Sequence, residues 1–339
     1  LDFSKEDWDV AAQVSAERDM WVIATKHHPG GIDGIEINNR TFVFRLMDEK
    51  AQLLQQADTL FVYGCGGGKT IELVRQLEEQ TKTPVGWIVS NGSGHHIFLD
   101  HWFEAFPHAR ILVEGIRIPF TQNGMNLRKK WGERLETMSG PRPSLILEHF
   151  GNQLDLVMFD QLTHSKELPK YTWMGPNDPI RKLGLLQWFR FFNEAFKDHS
   201  VPNAECTLFH KSSKLVIGGH NFQFMYIPTN YSPKPEHKLP FNAPFPLNLM
   251  MKKMLMARGK FNSLYENEPA PFQSIAKHVQ EWEMVLGWDF KDWTSSHNPP
   301  TVIGPGQAEQ LHPAVLKKRI RQSLRRTGED DPSGRSLKF

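Results

Sequence analysis

Four side chains that can bind a metal ion lie within seven residues of one another: His95, His96, Asp100 and His101. Imidazole nitrogen and carboxylate oxygen together suit zinc, iron or manganese. The group directly follows the apolar run at 85–89, which is typical of a buried strand. A loop at the end of a buried strand can hold ligands rigidly, so this spacing predicts a metal-binding loop.

Two later segments carry histidines in a similar setting. His210 follows a predicted strand at 205–209, and His220 follows a second predicted strand at 214–217 and two glycines. His297 comes after a predicted helix and an acidic loop that extend to residue 292. Three segments of the chain thus carry histidines next to the ends of predicted elements.

The first loop resembles the metal loop of the metallo-β-lactamase superfamily, usually written His-x-His-x-Asp-His at the end of a strand. Here the pattern reads His96-Ile97-Phe98-Leu99-Asp100-His101, with a phenylalanine at one histidine position. The loop is similar to that of a branch with the pattern His-His-x-Phe-Leu-x-x-Trp. The later histidine segments follow the superfamily's order along the chain.

The resemblance implies an α/β chain folded as a four-layer αββα sandwich. Residues 1–325 would form a single domain, with 228–260 as an insertion or lid and 326–339 as a flexible tail. His96 and His210 would serve a first metal position, where Phe98 removes the third ligand and His95 is the nearest substitute. Asp100, His101 and His297 would serve a second position, with His220 standing where the usual bridging aspartate falls. The site would hold one or two ions of zinc, with iron or manganese as alternatives.

Three nitrogen or oxygen ligands with open positions are typical of a catalytic metal. The resemblance therefore implies hydrolysis of a small ester, amide or lactone by metal-bound hydroxide, with His220 or His210 moving protons. An iron-dependent oxidoreductase on the same fold is an alternative, because two histidines and one carboxylate also bind non-haem iron. A non-catalytic member that only binds a ligand is the third hypothesis.

Two other motifs compete with this interpretation. The segment from Gly64 to Thr70 follows a strand and opens a helix, as a phosphate-binding loop does, but it has one residue too few between its first glycine and Gly-Lys-Thr. We expect a structural glycine turn there. His149 follows an apolar run and is an alternative ligand in place of His210.

The overall composition restricts the classes of binding partner that we expect. The net charge of +2 gives no electrostatic reason to expect nucleic acid, and no apolar run is long enough to span a bilayer. Two cysteines cannot form a disulfide framework, which suits a cytoplasmic protein. We expect a small-molecule substrate, and the oligomeric state stays open.

Hydrophobic periodicity predicts the elements that must position these side chains. Strands are expected at 20–24, 34–37, 41–46, 59–63, 85–89 and 110–113, with a further strand pair at 144–147 and 155–159. Helices are expected at 70–80, 98–106, 183–199, 247–258 and 272–286. Strand-like alternation along the first loop would put residues 96, 98 and 100 on one side, so Phe98 is predicted to cap the metal cavity.

Overall fold

The computed structural model describes residues 10–15, 19–27, 36–50, 58–91, 98–114, 131, 134–138, 142, 144–159, 205–218, 241–242 and 275–296 of the 339-residue chain. Several predictions lie outside these residues. They are the ligands His95, His96, His220 and His297, the helices at 183–199 and 247–258, the tail at 326–339, and the insertion at 228–260 apart from residues 241–242.

The larger sheet takes its strands in the order of the chain, and we call it sheet A. Its strands are β1 (Val10–Ser15), β2 (Met20–His27), β3 (Glu36–Met47), β4 (Asp58–Tyr63), β5 (Val85–Val89), β6 (Arg110–Glu114) and β7 (Leu135–Met138). The pairs from β1 to β4 are antiparallel, and the pairs from β4 to β7 are parallel. Helix α1 (Gly68–Thr81) connects β4 to β5, and helix α2 (Leu99–Ala105) lies between β5 and β6. Parallel strands require such crossovers.

The smaller sheet, sheet B, has the order β12-β10-β9-β8. Its strands are β8 (Leu154–Phe159), β9 (Glu205–His210), β10 (Leu215–Gly218) and β12 (Asp292–Ser295). The β9–β10 hairpin is antiparallel, whereas β12 joins β10 in parallel. Helix α3 (Ser144–Phe150) precedes β8, and helix α4 (Ile275–Gly287) precedes β12. The short strand β11 (Phe241–Asn242) pairs with β3 of sheet A.

Alternating side chains of β3 and β4 divide the interior into two cores. Phe42, Phe44 and Tyr63 point between the sheets and meet Leu208 and Ile217 of sheet B. The neighbouring residues on the same strands belong to a second cluster, which α1 and α2 cover: Val43, Leu60 and Val62 pack with Val74 and Trp102. Both faces of sheet A are therefore buried, as expected where parallel strands are connected by helices.

Sheet B is also buried on both faces. Val157, Phe209 and Val216 point away from sheet A and pack against Trp282 and Val285 of α4. The order of layers is thus α1 and α2, sheet A, sheet B, and α4. This confirms the four-layer αββα sandwich.

Three sequence-based expectations about the elements were wrong. Residues 144–147 belong to helix α3 and not to a strand, and β8 pairs with β9 instead. The two strands expected at 34–37 and 41–46 are one continuous strand, β3. The short strands β1, β7 and β12 were not predicted. In the part of the chain that the structure describes, no helix has the length and apolar character needed to cross a membrane.

Candidate metal centre

Three chain segments meet at the carboxyl-terminal edge of β4 and β5. Asn91, just beyond β5, donates a hydrogen bond from Nδ2 to Ser296 Oγ. The Ser296 amide donates to Gly218 O at 3.1 Å, and the Arg40 amide donates to Ser296 O at 2.9 Å. We call Arg40, Asn91, Gly218 and Ser296 the junction. Three described ranges end at Asn91, Gly218 and Ser296, and the histidine-bearing segments of the sequence follow directly after them.

The junction is fully inside the protein. Arg40, Asn91 and Ser296 each have no exposed surface. Arg40 Nη1 donates to Thr294 Oγ1 at 2.7 Å, so β3 fixes the end of β12 through both its backbone and a side chain. The Asn91 carbonyl accepts from the Cys206 amide at 3.1 Å, which connects β5 to β9. The ends of four strands are therefore fixed relative to one another before the loops begin.

The glycine turn after β4 packs against the same edge. Gly64 has φ of +88°, which favours glycine, and a Cβ there would lie 3.0 Å from Arg40 O. Helix α2 lies on the other side of this turn, because Trp102 Nε1 donates to Gly66 O at 2.9 Å. The turn is therefore filled by protein side chains, in agreement with the structural turn expected from the sequence.

Helix α2 presents two of the predicted ligands beside this turn. Asp100 lies in the first helical turn and is 2% exposed, whereas His101 is partly exposed. His101 Nε2 is 4.0 Å from Asp100 Oδ2. A buried carboxylate at a helix N-terminus is stabilised by the amides of that turn.

The far end of α2 is anchored by one arginine. Arg134 donates from Nη1 to Phe103 O and from Nη2 to Phe106 O, both at 2.8 Å. These carbonyls have no partner within the helix, and a cation there also favours the helix dipole. Partial burial lowers the pKa of Arg134, but a guanidinium stays protonated at neutral pH. Asp100 therefore belongs to a helix that is held at both ends.

Phe98 does not point as predicted. Its ring lies 3.6 Å from the position of a Cβ on Gly67 and packs against the cluster under α1 and α2. The alternation argument requires an extended backbone, but α2 begins at Leu99, so successive side chains rotate by about 100° instead of 180°. Phe98 therefore packs against the helix-side core, and the strand-like alternation expected along the loop does not hold at residues 98–100.

His210 lies at the other end of sheet B. It is paired in register with Leu215 and Leu154, at the start of the β9–β10 hairpin. Its Nδ1 is 2.7 Å from Ser213 Oγ, and its ring centroid is 4.8 Å from that of Phe44. Four residues of strand separate it from Cys206 at the junction, about 13 Å. The structure thus does not bring His210 to the edge that carries Asp100 and His101.

His149, the alternative ligand, is also at the opposite edge. Its Nδ1 is 2.7 Å from Asp48 Oδ1, beyond the end of β3, and its ring centroid is 4.7 Å from that of Trp87. The Glu49 amide donates to its carbonyl at 2.9 Å. These contacts connect α3 to the turn after β3, which is a structural role.

Among the residues that the structure describes, no three His, Cys, Asp or Glu side chains are grouped closely enough to share an ion. Asp100 and His101 are the two predicted ligands that the structure describes at this edge, and a carboxylate and an imidazole are donors that zinc accepts. The other expected ligands, apart from His210, fall outside the described residues.

Sequence analysis did not find Arg40, Asn91 or Ser296 as functional positions. Ser296 directly precedes His297, and Asn91 lies two residues beyond the apolar strand at 85–89, so their positions next to the motifs could have pointed to them. Nothing in the sequence indicates that Arg40 is buried, because arginine is rarely found inside a protein.

The sequence and the structure were compared with known proteins. No protein-family model matches the sequence, and no curated protein does. A metallo-β-lactamase from Pontibacter korlensis has 9% identity over 86% of this chain and 91% of its own, with a TM-score of 0.40. The mono-zinc form of the metallo-β-lactamase FIM-1 from Pseudomonas aeruginosa has 9% identity over 90% of this chain and 92% of its own, with a TM-score of 0.40.

A metal-soaked flavodiiron core, Flv1 from Synechocystis sp. PCC6803, has 9% identity over 91% of this chain and 60% of its own, with a TM-score of 0.42. The fold assignment itself rests on the four layers and the three cores between them. The protein is a four-layer αββα sandwich.

Proposed function

We propose that this protein is a metal-dependent hydrolase of a small ester-, amide- or lactone-type substrate. The observation that carries the proposal is the hydrogen-bonded junction of Asn91, Gly218 and Ser296. Each of these residues immediately precedes a loop that contains histidine. The junction lies at the carboxyl ends of parallel strands, where ligand sites of α/β proteins are commonly built.

The proposed ligand sphere contains Asp100 and His101 at the start of α2, together with the predicted ligands of the segments that follow Asn91, Gly218 and Ser296. It leaves out His210, which lies at the other end of sheet B.

A bound zinc ion would supply a Lewis acid that polarises the substrate carbonyl and the attacking water. Water adds across the acyl–oxygen or acyl–nitrogen bond, and an acid leaves together with an alcohol or an amine. In this proposal His220 carries the proton, since His210 is bonded to Ser213 at the other end of sheet B. The apolar core around Phe98 and Trp102 keeps the Asp100 helix fixed.

The test compares two single substitutions with the wild type. The proteins are purified without added metal, their metal content is measured by inductively coupled plasma mass spectrometry, and hydrolysis of p-nitrophenyl acetate and of a lactone panel is assayed. We expect about one zinc ion per chain in the wild type, its loss in Asp100→Ala together with activity, and its retention in His210→Ala.

The two variants separate the site from the fold. His210→Ala removes a buried side chain that contacts Phe44 and Ser213, so it should lower the melting temperature while metal stays bound. Stoichiometric iron without hydrolysis would replace the proposal with an oxidoreductase. Substoichiometric content of every metal would leave only a ligand-binding protein. Equal metal loss in both variants would contradict the placement of the site.

A further inference from the structure

The imidazole ring of His149 lies between a carboxylate and a guanidinium, at the edge of the sandwich opposite the junction. Its Nδ1 is 2.7 Å from Asp48 Oδ1, and its Nε2 is 3.5 Å from Arg110 Nη1. The ring also packs against Trp87 of β5, with 4.7 Å between the ring centroids. The side chains of His149 and Asp48 are 13% and 12% exposed, so water has little access to this pair.

The two partners determine which ring nitrogen of His149 carries a proton. An ionised carboxylate only accepts hydrogen bonds, and a guanidinium only donates them. Nδ1 must therefore carry the proton that is shared with Asp48, and Nε2 must offer its lone pair to Arg110. The neutral Nδ1–H tautomer meets both demands. An imidazolium does not, because it would turn an N–H at Nε2 towards the N–H groups of Arg110.

The other charged groups near the ring do not contact its nitrogens. In the part of the chain that the structure describes, the charged side chains of the neighbouring elements are Asp48, Glu49 and Lys50 after β3, Glu148 of α3, Arg110 of β6 and Glu136 of β7. Lys50 is paired with Glu148, which lies on the same helix as His149. Within this set, Asp48 and Arg110 are the groups within hydrogen-bonding distance of the ring.

Arg110 can leave His149 and keep its other contacts. Its Nε and Nη2 donate to the two carboxylate oxygens of Glu136, both at 2.7 Å. Its guanidinium carbon lies 4.5 Å from the ring centroid of Trp87, and its side chain is 38% exposed. The contact with His149 uses the remaining nitrogen, Nη1. Loss of that contact would therefore turn Nη1 to water and would not leave it buried without an acceptor.

We propose that His149 is a pH-dependent switch in the connection between α3 and sheet A. With a neutral ring, His149 bonds to Asp48 and to Arg110, so α3 is connected both to the turn after β3 and to β6. In acid, Nε2 takes a proton from solvent and its hydrogen bond with Arg110 breaks. The ion pair with Asp48 stays, so α3 remains connected to the turn and is released from β6. The switch does not depend on the proposed metal centre.

The tautomer is measured by NMR on the full chain with isotope-labelled histidine. Spectra are compared at about pH 8 and about pH 5, the range in which imidazole normally changes its charge. His149→Phe identifies the ring signals, because they disappear in that variant. We expect a protonated Nδ1 and an unprotonated Nε2 at the higher pH, and two protonated nitrogens at the lower pH.

The connection to β6 is measured by a double-mutant cycle with Arg110→Met and His149→Phe. The cycle isolates the interaction between positions 110 and 149, because the loss of the Asp48 contact occurs in both of its arms. Urea unfolding at the higher pH should give a coupling of about two- to tenfold in the unfolding equilibrium constant, as for a typical hydrogen bond. At the lower pH the coupling should be lost or reversed.

The pair of Arg45 and Asp58 is the matched control. Arg45 donates from Nε and Nη2 to Asp58 Oδ2 at 3.0 and 2.8 Å, and no imidazole takes part in these bonds. A cycle with Arg45→Met and Asp58→Asn should therefore give the same coupling at both pH values.

Two results would overturn the switch. One is an Nε2–H tautomer of His149 at the higher pH, or a ring whose protonation does not change between the two pH values. The other is a coupling between positions 110 and 149 that is equal at both pH values, or that falls no more than the coupling of the control pair. If a substituted protein does not fold, the tautomer and the protonation of His149 in the wild type decide.

Discussion

At the junction edge, several polar and charged side chains are buried in the protein interior. Asp100 is 2% exposed and Arg40 is not exposed at all. Burial of a charge is costly unless hydrogen bonds or opposite charges compensate for it. Arg40 lies within β3 and Asp100 in the first turn of α2, and both are beside the edge at which we propose a metal centre.

Phe98 provides a prediction at this scale. Phe98→His should not increase the metal content, because the ring packs against Gly67 and the cluster under α1 and α2. The substitution should lower the free energy of unfolding by about 1–2 kcal/mol, because Phe98 is only partly buried and contributes less than a fully buried phenylalanine side chain. Metal analysis and urea unfolding of this variant give both quantities. A gain of one ion per chain would mean that the residue at position 98 reaches the metal after all.

Among the helices and strands, the two opposite edges of the sandwich have different roles. The carboxyl-terminal edge of β4 and β5 carries the junction and α2. The opposite edge carries His149 and Asp48, which connect α3 to the turn after β3, and Arg110, which is bonded to Glu136 at 2.7 Å. Histidine and carboxylate side chains occur at both edges, but only the first edge lies beside the predicted ligand loops.

The opposite edge should therefore affect stability and not metal binding. Asp48→Ala leaves the largely buried His149 without its partner and also removes the acceptor for the Lys50 amide. We expect a loss of about 1–3 kcal/mol in the free energy of unfolding. Zinc affinity, measured on the folded variant, should match that of the wild type. A tenfold weaker zinc affinity would show that the two edges are coupled.

The elements also differ in how far the sequence predicts them. The succession β4, α1, β5, α2 and β6 was predicted because each has a clear apolar period and the Gly64–Gly68 turn separates the first two. Leu145, Ile146 and Leu147 form a short apolar run, which periodicity alone cannot assign to strand or helix. They belong to α3, where Ile146 and Phe150 fill the core between the sheets.

For the whole molecule, the four-layer architecture was predictable from the resemblance and the details of the site were not. Strand β12 has four residues and exists because it pairs with β10, far away in the sequence. The junction depends on that pairing, since Ser296 follows β12. Local sequence patterns contain no information about contacts between distant segments. The sequence therefore predicted where the loops lie along the chain, but not which contacts form among the residues at their starts.

We propose that one metal ion is bound at the junction edge, with Asp100 and His101 among its ligands. Anomalous diffraction at the zinc absorption edge, from crystals of protein loaded with zinc, tests it most directly. We predict one strong peak about 2 Å from an Asp100 carboxylate oxygen and a His101 ring nitrogen. A peak beside His210 or His149, or no peak in crystals with ordered loops, would contradict the account.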